Sequence, residues 1–290
     1  MKKKLIKIAN DTNIFLKNFI KKQKKTELLA PMKYGLFPGG KKIRSKILVD
    51  IGYLFNLNYK TLIQIGASVE CIHAYSLIHD DLPCMDNDIL RRGKASAHIK
   101  FGESTAVLAG NSLLTMAFEI LSDENLDIKK NIKVKLIKKL SECSGHAGIA
   151  GGQYLDLNYE KKKVSKKKII EMEIKKTGRL FSFCCMVPAL IKNKNINTIN
   201  FFDKIGSKIG IIFQIADDLI DYKGRTKKAG KKTKKDQKKG KATLVALIGY
   251  NNTIKYAEKI KSEINKKLNK YGSKSKNIKE TLNYILNRNK

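Results

Sequence analysis

The chain has 290 residues, of which 42% are hydrophobic, and this content is enough to bury a sizeable core. Its 60 lysine and arginine residues outnumber 26 acidic residues and give a formal net charge of +34. The hydrophobic content excludes a disordered polycation. No run of about 18 uncharged apolar residues occurs, which predicts that no segment spans a membrane.

Apolar residues recur at three- and four-residue spacing along most of the chain, a pattern typical of helices. It predicts helices near residues 5–22, 43–56, 61–82, 105–121, 131–150, 167–191, 199–222, 243–268 and 276–287. Only four prolines occur, and alternating strand patterns are scarce. We therefore expect an all-α fold in which residues 1–290 form a single domain.

The cysteines and the first segment indicate the compartment. Charges are too frequent in residues 1–22 for a signal peptide, so an amphipathic helix is predicted there. The five cysteines lie in apolar surroundings without metal-ligand spacing and are predicted to be reduced core thiols. Such thiols are typical of cytoplasmic proteins, and we expect this location.

The excess of lysine also raises the hypothesis of a nucleic-acid or polyphosphate binder. The lysines, however, are spread along nearly every predicted helix. The chain has no zinc-finger spacing and no aromatic-rich RNA-binding motif. Nucleic-acid binding therefore stays an alternative and is not the expected main function.

Two clusters of aspartates are the most informative feature of the sequence. Each is an Asp-Asp pair that follows an apolar helical run, with a third aspartate shortly downstream. The first cluster is Asp80, Asp81 and Asp86, and the second is Asp217, Asp218 and Asp221. Burying close like charges is costly unless a cation compensates, and Mg²⁺ fits best because it leaves positions for substrate phosphates. A single pair is usually a solvated helix end, but two clusters favour paired metal sites that face one anion.

Cationic side chains accompany both clusters. The segment GGKKIR (39–44) combines two glycines, which allow close backbone approach, with Lys41 and Arg44. Arg91 and Arg92 follow the first cluster directly. The lysine-rich stretch 223–241 follows the second cluster and is predicted to be a lid over a polyphosphate, although a solvated loop would have the same composition.

Five segments, in their order and spacing, resemble the trans-prenyltransferases of the polyprenyl synthase family, and the bacterial farnesyl diphosphate synthases in particular. They are GGKKIR, LIHDDLPCMDNDILRRG, GGQYLDL, KKTG and FQIADDLID. The resemblance covers essentially the whole chain. It implies an isoprenoid synthase-type bundle of about ten or more helices around a deep central cavity, usually as a homodimer.

The resemblance also implies an activity. The enzyme would condense isopentenyl diphosphate with dimethylallyl diphosphate and then with geranyl diphosphate. The six aspartates would hold about three Mg²⁺ ions on the allylic diphosphate, which would leave as the carbon–oxygen bond breaks. The allylic cation would be steadied by the Lys176 carbonyl, the Thr177 hydroxyl and Gln214. A related terpene synthase and a non-catalytic subunit are alternatives, and the intact aspartate clusters argue against the subunit.

Two substrate sites follow from the same resemblance. The residues that match the allylic site are Arg91, Lys176, Thr177, Gln214, Lys231 and Lys241. The residues that match the isopentenyl diphosphate site are Lys41, Arg44, His73 and Arg92. The chain departs from the family at Ser45, where proline is usual, and we expect a looser loop there.

Tyr75 and Ser76 are the predicted determinants of product length. Tyr75 lies five residues before Asp80, which is about 7.5 Å along a helix. In the resembling family a bulky aromatic residue at this position closes the cavity and stops growth at fifteen carbons. Farnesyl diphosphate is therefore the expected product. The alternative is that Tyr75 is an ordinary core aromatic residue and the product length is set elsewhere.

Overall fold

The computed structural model describes residues 1–228 and 241–287, and helices dominate this part of the chain. The α-helices are α1 (Lys2–Lys21), α2 (Leu29–Leu36), α3 (Ile43–Leu54), α4 (Tyr59–Asp80), α5 (Ala97–Phe101), α6 (Glu103–Ser122), α7 (Lys130–Ser144), α8 (Ile149–Tyr159), α9 (Lys166–Glu173), α10 (Arg179–Ile191), α11 (Ile196–Lys228), α12 (Leu244–Ile248), α13 (Tyr250–Leu268) and α14 (Lys276–Asn287). A π-helical turn, Ile174–Gly178, joins α9 to α10, and a 3₁₀ segment, Asn269–Ser275, joins α13 to α14.

The strands within the described ranges form one short hairpin. Strands β1 (Leu90–Arg91) and β2 (Lys94–Ala95) pair antiparallel across Arg92 and Gly93. Both central residues have positive φ, as a tight hairpin turn of this hand requires. The prediction of an all-α fold is confirmed, while the deep central cavity stays a prediction.

The chain forms two compact units. The first unit contains Met1–Ser141 and Leu190–Lys192, and the second contains Glu142–Ala189 and Asn193–Lys290. The first aspartate cluster belongs to the first unit, and the second cluster belongs to the second unit. That residues 1–290 act as a single domain stays a prediction.

Local sequence explains where the leading helices of the first unit begin and which face they bury. Helix α1 buries Leu5, Ile8, Leu16 and Ile20, whose spacing puts them on one face, as predicted for an amphipathic helix. Helix α4 begins after Asn58, whose side chain accepts hydrogen bonds from the backbone N–H groups of the first turn, the shorter at 2.8 Å. An Asn at this position satisfies donors that a helix start otherwise leaves unpaired.

Two of the predicted helices are interrupted in the structure, and a glycine explains each interruption. The helix predicted over residues 131–150 ends at Ser144, and a Cβ at Gly148 would overlap the backbone carbonyl of Cys143. The helix predicted over residues 243–268 is broken at Gly249, which has a φ of 78°. Helical periodicity continues through both places, so apolar spacing alone does not reveal the breaks.

Helices α4 and α6 are long and apolar enough to cross a membrane by length and composition alone. The apolar window of α4 is 83% buried inside the structure and that of α6 is 44% buried. A core helix of a protein without a membrane span passes the same test. Of the five cysteines, four are buried as predicted, whereas Cys84 is exposed.

Lys46 and Asp50 lie one turn apart on α3 and form an ion pair, and each side chain is 1% exposed. The same i,i+4 arrangement occurs at the surface of α1, where Lys7 lies 3.4 Å from Asp11 and is 69% exposed. A charge left without its partner is far more costly in the core than at the surface.

We therefore predict that Lys46→Met lowers the free energy of unfolding by about 3–5 kcal/mol, because it removes the ammonium that pairs with the buried Asp50 carboxylate. The surface control Lys7→Met should cost no more than about 1 kcal/mol. Urea denaturation followed by circular dichroism measures both. Equal losses in the two variants would contradict the assigned burial of the pair.

Candidate active site

The first aspartate cluster is built by the end of α4 and the turn that follows it. The backbone N–H of Asp86 donates to the carbonyl of Asp80 at 2.9 Å, and that of Asp88 donates to the carbonyl of Asp81 at 3.2 Å. Asp81 and Asp86 are buried, and Asp80 is half-buried. The turn therefore folds the later carboxylates back onto the helix end, as the sequence spacing predicts.

The β1–β2 hairpin brings Arg91 onto Asp81. The Arg91 Nε donates to both carboxylate oxygens of Asp81, at 3.0 and 3.1 Å, and Nη2 also contacts Oδ1. Asp88 lies 3.7 Å from the same guanidinium. Burial raises the pKa of Asp81, and the Arg91 hydrogen bond opposes that shift. A predicted allylic-site cation thus pairs with a predicted metal ligand.

The glycines of the GGKKIR segment allow Arg92 to approach the backbone closely. The Arg92 guanidinium contacts the carbonyl of Gly39, and a Cβ on Gly40 would overlap the same guanidinium. Gly40 has a φ of 118°, which side chains rarely adopt. Two of the segments predicted to bind isopentenyl diphosphate are therefore in contact.

Three further residues predicted for isopentenyl diphosphate differ in exposure. Lys41 is exposed, Arg44 is buried and His73 is half-buried. The pKa of His73 lies well below its ordinary value because of burial and because the charges of Arg44 and Arg92 oppose protonation. His73 is therefore a neutral imidazole among cations, which suits a hydrogen-bonding role.

Ser45 lies in the first turn of α3 and is tied to α4 by hydrogen bonds. Its backbone N–H donates to Glu70 at 3.3 Å, and its hydroxyl lies 3.2 Å from both Glu70 Oε1 and the Gly66 carbonyl. Lys42 reaches Glu70 at 3.8 Å. The expectation of a looser loop is wrong, because serine supplies donors that proline lacks.

The predicted product-length residue Tyr75 packs against His79, one helical turn closer to the aspartates. The two rings meet edge to face with centroids 4.9 Å apart. His79 Nε2 lies 3.1 Å from the carbonyl of Val107 on α6, and a Cβ on Gly110 would overlap the His79 ring. Ser76 turns its hydroxyl to the carbonyl of His73 at 3.0 Å. His79 thus contacts both α6 and the predicted product-length residue.

The π turn is the centre of the second unit's site, because it carries Lys176 and Thr177. Helix α8 approaches it at Gly152, where a Cβ would overlap the Lys176 backbone. Helix α11 approaches it at Gly210, where a Cβ would overlap Gly178. Each glycine lies one turn before the side chain that its helix directs at the π turn.

Asp156, one turn after Gly152, is a site residue that sequence reasoning missed. Its Oδ2 accepts from Lys176 Nζ at 2.6 Å and from Lys241 Nζ at 3.3 Å. Burial alone would raise the pKa of Asp156, but the two ammoniums hold it below the ordinary value. The only sequence signal was its position in GGQYLDL.

A chain of hydrogen bonds runs from the π turn to the second aspartate cluster. The Thr177 hydroxyl donates to Gln214 Oε1 at 3.0 Å, and Gln214 Nε2 donates to Asp218 Oδ1 at 2.9 Å. Two of the three predicted catalytic residues are therefore directly bonded. Lys231, predicted for the allylic site, lies outside the described residues.

In the second cluster, the protonation of Asp218 is strongly affected by its surroundings. Burial, together with Asp217 and Asp221, raises the pKa of Asp218 to about 7 against the opposing Gln214 bond. Its buried Oδ2 has no hydrogen-bond partner. Glu173, which sequence reasoning also missed, is 2% exposed, and burial and the nearby Asp218 raise its pKa.

These carboxylates fit the donor set of Mg²⁺. The unpartnered buried oxygen of Asp218 is a ligand that a cation would satisfy. Within residues 1–228 and 241–287, no three His, Cys, Asp or Glu side chains converge on one point as a closed metal cage would require. Mg²⁺ suits such open sets, because it binds through one or two carboxylates and keeps water and phosphate ligands.

A family model for polyprenyl synthetase matches residues 25–285, so the chain belongs to the polyprenyl synthetase family. It is 38% identical over 270 residues to the farnesyl diphosphate synthase of Escherichia coli (strain K12), covering 91% of this chain and 90% of that one. The predicted family is confirmed.

Solved structures share the fold. An apo FPP/GFPP synthase from Zymomonas mobilis has a TM-score of 0.86 at 33% identity and covers 98% of both chains. A geranyltransferase from Helicobacter pylori, complexed with magnesium and isoprenyl diphosphate, has a TM-score of 0.78 at 29% identity. That likeness covers 98% of this chain and 96% of the other.

We predict that Gly210→Ala lowers the free energy of unfolding by about 1–3 kcal/mol, because the added methyl group forces α11 away from the π turn. Gly224→Ala is the control on the same helix, since nothing lies within 4 Å of its added Cβ. It should be neutral or stabilising by up to about 1 kcal/mol. Thermal denaturation measures the stability of both variants. Equal shifts of the melting temperature in the two variants would contradict the close approach of α11 to the π turn.

Proposed function

We propose that this protein is a farnesyl diphosphate synthase. It condenses isopentenyl diphosphate with dimethylallyl diphosphate and then with geranyl diphosphate. The observation that best supports this proposal is the hydrogen-bonded series Thr177–Gln214–Asp218. It joins a predicted carbocation-stabilising pair to a predicted metal ligand. Membership of the polyprenyl synthetase family and the similarity to the E. coli farnesyl diphosphate synthase support the assignment.

Ionisation of the allylic diphosphate needs charge stabilisation rather than a nucleophile. About three Mg²⁺ ions, held by Asp80, Asp81, Asp86, Asp217, Asp218 and Asp221, would supply charge neutralisation on the departing diphosphate when bound. The ammonium groups of Lys176 and Lys241 bind its oxygens, and ionised donors of this kind make short, strong hydrogen bonds to phosphate. Lys231 is proposed as a further lysine for the same group.

The carbocation left behind is stabilised by fixed dipoles. The Thr177 hydroxyl and the Gln214 amide are pre-oriented by their mutual hydrogen bond of 3.0 Å, so little reorganisation is needed when charge develops. The backbone carbonyl of Lys176 adds a third dipole. All three groups lie on helical elements, the π turn and α11, rather than on loops.

The isopentenyl diphosphate site uses Lys41, Arg44, His73 and Arg92. Arg92 is supported by the Gly39 carbonyl, and neutral His73 offers a hydrogen bond without adding to the local positive charge. The double bond of this substrate attacks the allylic cation. The released diphosphate then takes the proton that completes the new double bond.

We further propose that residues 1–290 act as one domain and that the protein is a cytoplasmic homodimer. Helix α6 supports self-association, because it contains no lysine or arginine in a chain with 60, and it exposes Leu108. Exposed helix faces without lysine suit a protein interface, where lysine is depleted. Sedimentation velocity would give a monomer mass if this proposal is wrong.

The second candidate function is nucleic-acid or polyphosphate binding without catalysis. The formal net charge of +34 motivates it. Loss of prenyl transfer on adding EDTA supports the enzyme. Tight, salt-sensitive DNA binding without prenyl transfer would support the alternative.

Neutralising either aspartate cluster should abolish turnover. We predict that Asp80→Asn and Asp217→Asn each lower kcat by about 10²-fold or more, because each removes stabilisation of charge that develops in the transition state. The exposed Asp127 provides the control Asp127→Asn, which should keep wild-type activity. Near wild-type turnover in either cluster variant, with unchanged circular dichroism, would refute the metal assignment.

Product length tests the role of Tyr75. Tyr75→Ala removes the ring that packs on His79 and should shift the product toward twenty carbons or more. Tyr75→Phe keeps the ring and should still give fifteen carbons. Radiolabelled isopentenyl diphosphate and chromatographic sizing report the outcome. A Tyr75→Ala enzyme that stops cleanly at fifteen carbons would show that another group ends chain growth.

A further inference from the structure

One buried carboxylate oxygen binds two lysines that come from different parts of the second unit. Lys176 lies on the π turn, and Lys241 lies just before α12. Their Nζ atoms lie 2.6 and 3.3 Å from the same Oδ2 of Asp156. The Asp156 side chain is 7% exposed, whereas the two lysine side chains are 22% and 18% exposed.

The close packing of α8 on the π turn fixes this arrangement. Gly152 lets α8 meet the backbone of Lys176, and Asp156 follows one turn later on the same face. Asp156 is therefore anchored by the helix rather than by a loop. The lysines, by contrast, are long side chains whose ends need a partner to hold one position.

The shared oxygen also limits how far apart the two positive charges can be. The sum of the two distances, 5.9 Å, is the largest possible separation of the Nζ atoms. Two ammoniums this close repel each other unless an anion lies between them. An ammonium has three N–H donors, so a lysine bonded to Asp156 can still donate to a phosphate oxygen.

We propose that Asp156 is a positioning residue that holds Lys176 and Lys241 as a paired cation for the allylic diphosphate. The proposal rests on the proposed function and adds a residue and a role to it. Asp156 acts through the lysines and does not itself touch the substrate. Its removal leaves both charges in place but lets the two ammoniums move apart.

The test is a double-mutant cycle on Asp156→Asn and Lys241→Met. Asp156→Asn should raise the allylic KM about tenfold or more, in line with the loss of hydrogen bonds to charged groups, and leave the KM for isopentenyl diphosphate within twofold. In the Lys241→Met background the same substitution should cost clearly less, because one of the two positioned ammoniums is already gone.

The control is Asp203→Asn, since Asp203 is an acid of the same unit that bonds Ser182 at 2.6 Å and no site lysine. It should leave both KM values unchanged. Asp156→Glu keeps the charge and should give a smaller allylic defect than Asp156→Asn. If Asp156→Asn does not fold, Asp156→Glu takes its place in the cycle with Lys241→Met. A wild-type allylic KM in Asp156→Glu, together with additive effects in that cycle, would then overturn the proposal.

Additive effects, an unchanged allylic KM, or equal rises in both KM values would likewise overturn it. Calorimetric titration of inorganic diphosphate with Mg²⁺ repeats the cycle without turnover. Absence of prenyl transfer by the wild-type protein would therefore contradict the proposed function alone. Additive changes in the free energy of diphosphate binding would contradict the role of Asp156 alone.

Discussion

The cost of burying negative charge governs the candidate site. Cations pair with some of the buried carboxylates, as Arg91 does with Asp81 and two lysines do with Asp156. Burial and neighbouring acids raise the pKa of Asp218 and of Glu173, and one buried carboxylate oxygen of each has no hydrogen-bond partner. An uncompensated buried carboxylate is expensive, so the second group creates a demand for an external cation. Mg²⁺ answers that demand and also attracts diphosphate.

Backbone packing determines which of these charges meet. The π turn lies against α8 and α11 because Gly152 and Gly210 have no side chain. One turn beyond each glycine, Asp156 and Gln214 reach the lysine and the threonine of the turn. A pair of glycines thereby positions both Asp156 on the proposed cationic group and Gln214 on the proposed polar group of the site. The first unit uses the same device at Gly110, which makes room for His79 under Tyr75.

Sequence alone predicted much of this structure, and the failures have physical causes. The aspartates at the end of α4 and on α11 were singled out because they follow apolar helical runs, and the π-turn residues were singled out by the family resemblance of KKTG. Asp156 and Glu173 were missed because a lone acid acquires its role only from neighbours far away in sequence. Ser45, in the first turn of α3, was misjudged because its partner, Glu70, is a tertiary contact. Breaks at Gly148 and Gly249 do not disturb apolar periodicity, so two helices were drawn too long.

In the proposed site, Mg²⁺ reconciles the clustered carboxylates with an anionic substrate. Without the ion, a phosphate charge 4 Å from a carboxylate is repelled by about 4 kcal/mol at an effective dielectric near 20. Calorimetric titration of inorganic diphosphate into the wild-type protein, with Mg²⁺ and then with EDTA, measures this directly. We predict binding at least about tenfold tighter with Mg²⁺. Equal affinities in the two conditions would contradict the account, because the lysines and arginines would then suffice without the metal.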